Sequence, residues 1–219
     1  MAGDRLTRVE FERRYNAMPL LKKAELIEGV VYIPSLQGTA SHAAAQADCV
    51  GWLGTYRAYT PGVQAADNCT VRLDLDNEPQ PDSILRISPD CGGQSRTVDD
   101  FVEGAPELVA EIAASSASYD LHDKMNVYQR SGVREYLIWR VWDRAIDWFV
   151  LRGGKYGLLK PDSAGFLKSE VFPGLWLDVA ALLRDDLARV LAVAQEGRSS
   201  PEYRGFVARL QQQANSAAK

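Results

Sequence analysis

Glu107-Leu108-Val109-Ala110-Glu111-Ile112-Ala113, then Asp120-(x)3-Lys124-(x)3-Tyr128, then Gly132-Val133-Arg134-Glu135-Tyr136: the reading of the fold turns on this run. Its first segment is nearly continuous apolar apart from two acids, the pattern of a strand covered on both faces. In the second, Leu121, Met125 and Tyr128 recur at helical spacing. Ser115, Ser116 and Ser118 offer caps for a helix that runs to Ser131, and Gly132 is a natural stop. The third opens an aromatic-rich strand read over 134–142. A strand, one helix and a second strand make a crossover, so the Glu111 and Tyr136 strands are expected to run parallel.

Working outward, Pro81-Asp82 precedes a short strand from Ile84 to Ile87. Thr70 to Leu75 alternates, with Val71, Leu73 and Leu75 on one side. Ser41 can cap a helix from His42 to about Tyr59, with Ala45, Cys49, Trp52 or Leu53, and Tyr56 at helical spacing. Nearer the start, Thr7-Arg8-Val9-Glu10 has capping-box spacing, and Glu25-Leu26-Ile27-Glu28-Gly29 leads into a strand at Val30-Val31-Tyr32-Ile33. Downstream, Ala145–Leu151 and Tyr156–Leu159 flank Gly153-Gly154 as a hairpin. Asp178 caps a helix expected to reach about Gln195, Gly197 to Pro201 reads as a linker, and Glu202–Gln213 as a last helix with a frayed end. The expected architecture is an α/β domain over 1–196 with its core at about 42–142. A small mixed β-sheet is flanked by helices, with an added hairpin and C-terminal helices; 197–219 is a linker and helical tail.

The chain has 219 residues, 46% of them apolar and 25% charged, with a net charge of −4. Those values are ordinary for a soluble domain, and they supply no global basic field to recruit nucleic acid. Charge is uneven, however. Asp67–Glu111 carries eleven acids against three arginines, and His122–Lys160 carries eight basic residues against four acids. Cys49, Cys69 and Cys91 are dispersed, which argues against a disulfide framework or a zinc knuckle. The opening Met1-Ala2-Gly3-Asp4-Arg5 has no apolar signal core and no segment reaches membrane-span length, so a cytoplasmic protein is expected. No nucleophile elbow, Walker loop or dinucleotide fingerprint is present.

Certain side chains stand out. Glu111 lies among Leu108, Val109, Ala110, Ile112 and Ala113, where a bare carboxylate costs several kcal/mol unless a cation or donors meet it. Glu107 shares its face but lies nearer the strand start, where exposure is expected. Asp82 follows Pro81, which is also a common turn pattern. Asp120 and Lys124 share a helix face, which alone reads as a surface ion pair. The start of that helix nevertheless lies beside the end of the Glu111 strand. Tyr128 reads as core, and His42 and His122 lack zinc-ligand spacing. Two acids on successive short apolar segments with a lysine beyond are what a magnesium-dependent phosphodiesterase site needs. Carboxylates hold the hard cation, and a lysine steadies the attacking water or the developing phosphate charge.

With these residues placed, the chain resembles the Uma-type restriction endonuclease family, within the PD-(D/E)xK nuclease superfamily. The likeness runs from Thr7 to about Leu183. It is carried by Glu25-Leu26-Ile27-Glu28-Gly29, Ser41-His42, Pro81-Asp82, Glu107–Glu111, Asp120-(x)3-Lys124-(x)3-Tyr128, Gly132–Tyr136 and Phe172-Pro173-Gly174-Leu175. The resemblance implies a restriction-endonuclease-like core, a Mg²⁺ site (Mn²⁺ substituting) at Asp82 and Glu111, and hydrolysis of DNA phosphodiester bonds. The superfamily places its lysine two residues after the glutamate, where this chain has Ala113, and the resemblance assigns that role to Lys124. Asp120 and Tyr128 would flank it, and Glu28 or Glu25, with His42, would complete the pocket. Arg130, Arg134 and Arg140 are candidates for contact with the DNA backbone. Two concerted cuts would require two sites, which a homodimer would provide. The chain departs from the family pattern at Ala114-Ser115-Ser116, usually Ser-Pro-Ser, and at Tyr136-Leu137-Ile138-Trp139-Arg140, which lacks the usual aspartate. A nuclease fold kept as a binding or assembly module is the rival reading, and a hydrolase of another phosphoester a third.

Overall fold

The computed structural model describes residues 1–34, 40–113 and 120–218, and only the backbone of Asp120 and Leu121. The first half contains α1 (Arg8–Asn16), β1 (Glu25–Ile27), β2 (Val30–Tyr32), α2 (Ala40–Tyr59), β3 (Val63–Asp67), β4 (Val71–Arg72), β5 (Ser83–Ile87), β6 (Arg96–Val98), β7 (Phe101–Glu103) and β8 (Leu108–Ala113). The second half contains α3 (Met125–Ser131), β9 (Glu135–Arg140), β10 (Ala145–Arg152), β11 (Lys155–Leu158), β12 (Phe166–Lys168), β13 (Trp176–Asp178), α4 (Val179–Leu182), α5 (Leu187–Arg198) and α6 (Pro201–Ala217).

A six-stranded sheet in the order β11-β10-β9-β8-β5-β3 organises the molecule. The pair β8–β9 is parallel and the other pairs of this sheet are antiparallel. The crossover expected from the sequence is therefore present, and the fold is the mixed α/β arrangement expected, with the hairpin β10–β11 and C-terminal helices. All six residues of β8 are buried, as its apolar run requires. Period-two alternation then divides the core. Leu108, Ala110 and Ile112, with Leu137, Trp139 and Trp148, pack on one side with Cys49, Trp52, Leu53 and Tyr56 of α2. Val109 and Ala113, with Ile84, Tyr136 and Ile138, face the other side and meet Tyr128 of α3. The N-terminal hairpin β1–β2 has its own small core of Phe11, Ala24, Leu26 and Val31.

Local expectations fail where a tertiary contact outbids a local pattern. Leu75 is 66% exposed, because β4 ends at Arg72 and Asn77 Nδ2 bonds Asp74 Oδ1 at 2.7 Å to turn the chain. Helix α2 already includes Ala40, so Ser41 lies inside it rather than capping it. Thr7 makes no side-chain cap on α1, and Glu10 bonds Arg13 and Arg14 instead. Ser115, Ser116 and Ser118 fall outside the described residues. Asp178 does cap, accepting from Ala181 N at 2.9 Å, but only the short α4; Asp186 caps α5 anew.

The linker expected at Gly197 is not one. Gly197 is inside α5 and buried, and Pro201 opens α6 at once, with Ser200 capping it. Tyr203, Phe206 and Leu210 recur at helical spacing and bury in the main core, so α6 docks rather than trails. Tyr203 OH reaches the carbonyl of Tyr59 at 2.5 Å and stands 3.3 Å from Thr60 Oγ1.

A Cβ at Gly197 would stand 2.3 Å from the carbonyl oxygen of Gly174 and 2.9 Å from the Trp176 ring. Gly197→Ala should therefore cost about 2–3 kcal/mol in urea unfolding, because backbone on one side and a packed indole on the other leave no room to yield. A change below about 0.5 kcal/mol, the level of an ordinary surface substitution, would show that this helix does not dock as described.

Candidate active site

The antiparallel register of β5 and β8 pairs Ser83 with Ala110. Asp82 immediately precedes Ser83 and Glu111 immediately follows Ala110, so the two acids flank the end of this ladder. Cross-strand neighbours have Cβ atoms roughly 5 Å apart. Pro81, just ahead of Asp82, has no backbone N–H to donate and lies two residues before β5 begins at Ser83. Asp82 Oδ2 accepts from the backbone N–H of Ile112 at 2.8 Å, which ties the carboxylate to the neighbouring strand. Both acids are buried, Asp82 at 7% and Glu111 at 2% exposure.

Lys124 closes the site from the crossover. It ends a wide π-type turn, Asp120–Lys124, that leads into α3. Lys124 and Tyr128 are four residues apart and so share a face. Both reach Glu111 Oε1: Lys124 Nζ at 3.0 Å and Tyr128 OH at 2.9 Å. Burial, then the neighbouring Glu111 charge, pushes the Tyr128 phenol well above its ordinary value. It therefore stays protonated and donates. Its ring also packs on Tyr136 at 5.0 Å.

A third carboxylate enters from the N-terminal hairpin. Glu25 Oε1 lies 2.9 Å from Lys124 Nζ and accepts from Gln80 N at 2.7 Å. Lys124 thus bridges Glu25 and Glu111 with only 4% of its side chain exposed. Glu28, offered by the sequence as the alternative to Glu25, is not part of this cluster. It occupies the turn between β1 and β2 with φ 53°, is exposed, and pairs with Arg130.

Two further basic side chains face Asp82. Lys23 Nζ stands 3.3 Å from Oδ1, and His42 Nε2 stands 3.8 Å from Oδ2. Burial alone would raise the Asp82 carboxyl, but His42, Lys23 and the Ile112 N–H together outweigh it and hold the group at about 2. The Asp82 contact, working against burial, raises His42 above its ordinary value. Burial lowers Lys23, yet Asp82, Glu111 and Glu25 overcome that and raise it, so it remains an ammonium.

The donors are carboxylate oxygens, which suit a hard divalent cation. Burial pushes the Cys49 thiol up to about 12, which removes it as a thiolate ligand. Among the described residues no three His, Cys, Asp or Glu side chains converge to hold a metal ion unaided. Mg²⁺ needs only one or two protein carboxylates, since water and substrate phosphate fill the remaining positions.

Residues 9–180 match the model of the family described as "Uma2: Putative restriction endonuclease". The chain belongs to the Uma2 family. No curated protein is significantly similar to this Uma2 chain. A crystal structure titled as that of a putative nuclease of DUF820 from Anabaena variabilis is similar in fold. The TM-score is 0.54 at 14% identity, over 85% of this chain and 90% of that one.

Of the candidate residues, the Uma2 fold of this chain brings Asp82, Glu111, Lys124, Tyr128 and His42 together. The Asp120 side chain lies outside the described residues. Arg130 is exposed on α3 and paired with Glu28. Arg134 is exposed and donates to Gln94 Oε1 at 3.1 Å. It stands four residues before Ile138, the partner of Glu111, or roughly 13 Å along the strand. Arg140 is beside Ala113, close to the site, but Asp143 and Asp147 already engage its guanidinium. Glu107, expected to be exposed, is fully buried, because it accepts from Ile87 N at 2.8 Å and Gln94 N at 2.9 Å. The sequence reading missed Lys23. Its signal was period two: in an extended segment Lys23 shares a face with Glu25.

Because the folded Asp82 carboxyl titrates at about 2 against an ordinary 3.8, its contribution is complete above pH 3.8 and is lost as pH falls through about 2. His42 has the opposite sign: its contribution is complete below 6.5 and is lost as pH rises through its elevated value. In chelator, the stability gap between the natural chain and Asp82→Asn should be on the order of 2 kcal/mol at pH 5 and should narrow between pH 4 and 2. Denaturant titrations across that range would read it, and a gap independent of pH would contradict the ion contacts at Asp82.

Proposed function

We propose that the chain is a divalent-cation-dependent endonuclease that hydrolyses DNA phosphodiester bonds. The observation that carries this reading is the apposition of Asp82 and Glu111 across β5 and β8 with Lys124 bonded to Glu111. A bound Mg²⁺, for which Mn²⁺ can substitute, supplies Lewis acidity and an acidified water. Asp82 and Glu111 would hold it. Tyr128 and Lys124 fix the Glu111 carboxylate in one orientation, and Glu25 holds the Lys124 ammonium beside it. That ammonium stabilises charge developing on the phosphoryl oxygens. Arg130 and Arg134 are exposed and suited to backbone phosphates, contacts that position DNA without reading its bases. Arg140, engaged by two aspartates, is a weaker candidate. With a net charge of −4, recruitment rests on such local groups rather than on a global field. A homodimer would supply the two sites that paired cuts require.

The rival reading, a nuclease fold retained as a binding or assembly module, draws on one observation. The acids already have ammonium partners in Lys23 and Lys124. Metal binding separates the two readings, since a module needs no saturable Mg²⁺ or Mn²⁺ site.

Supercoiled plasmid incubated with the chain and Mg²⁺ should be nicked or linearised, and chelator should stop the reaction. Glu111→Gln keeps an acceptor for Tyr128 and removes the charge, so it should lower the cleavage rate about a hundredfold or more while circular dichroism stays unchanged. Cleavage by a folded Glu111→Gln at the natural rate would eliminate this assignment.

A further inference from the structure

Lys23 and Lys124 serve the same carboxylate cluster from different depths. Lys124 keeps 4% of its side chain exposed and Lys23 keeps 23%, so Lys23 is the more accessible of the two. Lys23 belongs to a stretch, 21–24, with no helix or strand, anchored next door by the buried Ala24. Its ammonium lies 3.3 Å from Asp82 Oδ1, is also attracted by Glu111 and Glu25, and is opposed by Lys124. Asp82 Oδ2 is committed elsewhere, to the Ile112 N–H and toward His42. Lys23 therefore holds Oδ1, the Asp82 oxygen that Ile112 and His42 do not engage.

We propose that Lys23 is the resident counterion of Asp82 and sets the site's affinity for a divalent cation by competing for Oδ1. The inference rests on the metal-site reading above and extends it to a residue of the N-terminal segment. A divalent ion and an ammonium repel strongly at the separation one carboxylate oxygen imposes. Cation binding must then displace Lys23, and the flexible four-carbon stem lets it leave toward solvent. Lys124, sealed between Glu25 and Glu111, has no such exit. Lys23 is thus a positioning residue whose loss should strengthen cation binding, whereas loss of an ordinary structural contact would weaken it or leave it unchanged.

The test is calorimetric titration of Mn²⁺ into the intact chain, previously stripped by chelator, for the natural protein, Lys23→Met and Lys23→Arg. Lys23→Met should bind Mn²⁺ about fivefold more tightly, and Lys23→Arg, which keeps the charge, should stay near the natural affinity. Thermal unfolding of the same samples provides a second readout, in which Mn²⁺ should raise the midpoint more for Lys23→Met than for the natural chain. Lys23→Gln replaces Lys23→Met if the latter folds poorly. Binding by the natural chain with equal or weaker binding by the neutral variants would overturn the role of Lys23 and leave the metal site standing. Absence of saturable binding in the natural chain and the variants alike would overturn both.

Discussion

Lys124 between Glu25 and Glu111 is the contact on which the rest of the site depends. Each of the three is at most 3% exposed. Burying any one of them alone costs several kcal/mol, and Coulomb attraction repays that cost only when geometry and supporting hydrogen bonds are good. Here both are present. Gln80 N steadies Glu25, Tyr128 OH steadies Glu111, and the wide turn at 120–124 brings the ammonium between them. Removing one member would strand the others in an apolar setting, which is why the cluster behaves as a unit.

The sheet makes this geometry possible without loops of its own. The β5–β8 ladder ends at Ser83 and Ala110, next to Asp82 and Glu111, and the β8–β9 crossover returns the chain over the same face. On the opposite face, α2 with the C-terminal helices covers Leu108, Ala110 and Ile112 and makes β8 rigid. Trp52 and Trp148 meet edge to face at 5.6 Å there, and Tyr56 OH reaches the carbonyl of Pro173 at 2.8 Å. Glu135, buried on that side, accepts from Ser169 Oγ and the backbone N–H groups of Glu170 and Val171, so burial raises it only to about 7. The floor of the site is thus backed by a core in which Trp52, Tyr56 and Glu135 all have hydrogen-bond partners.

Much of this was legible in the sequence because β8 leaves little ambiguity. A run such as Leu108–Ala113 needs cover on both faces, and the single helical segment after it forces a parallel return. Glu111 was legible for the same reason, as a charge in an apolar run must have a partner. What was not legible depended on contacts distant along the chain. Nothing near Glu107 discloses that Ile87 and Gln94 will bond it. Glu25 and Glu28 look equivalent until the turn at Glu28-Gly29, with φ 53° and 72°, sends one inward and the other to solvent. Gly197-Arg198-Ser199-Ser200-Pro201 has the composition of a tether, yet it is a corner because Tyr203, Phe206 and Leu210 find the core.

The N-terminal segment lends its charges to partners far along the chain. Glu25 meets a lysine 99 positions later, and Lys23 meets an aspartate 59 positions later. As the chain is synthesised, the strand carrying Glu25 emerges long before the residue that neutralises it, and it must remain hydrated in the interval. The charge cluster is complete only once the crossover has closed over the sheet and the leading segment has docked against it. A chain clipped of its leading segment would keep the β5–β8 ladder but lose Lys23 and Glu25, and with them the two ion pairs that this segment makes.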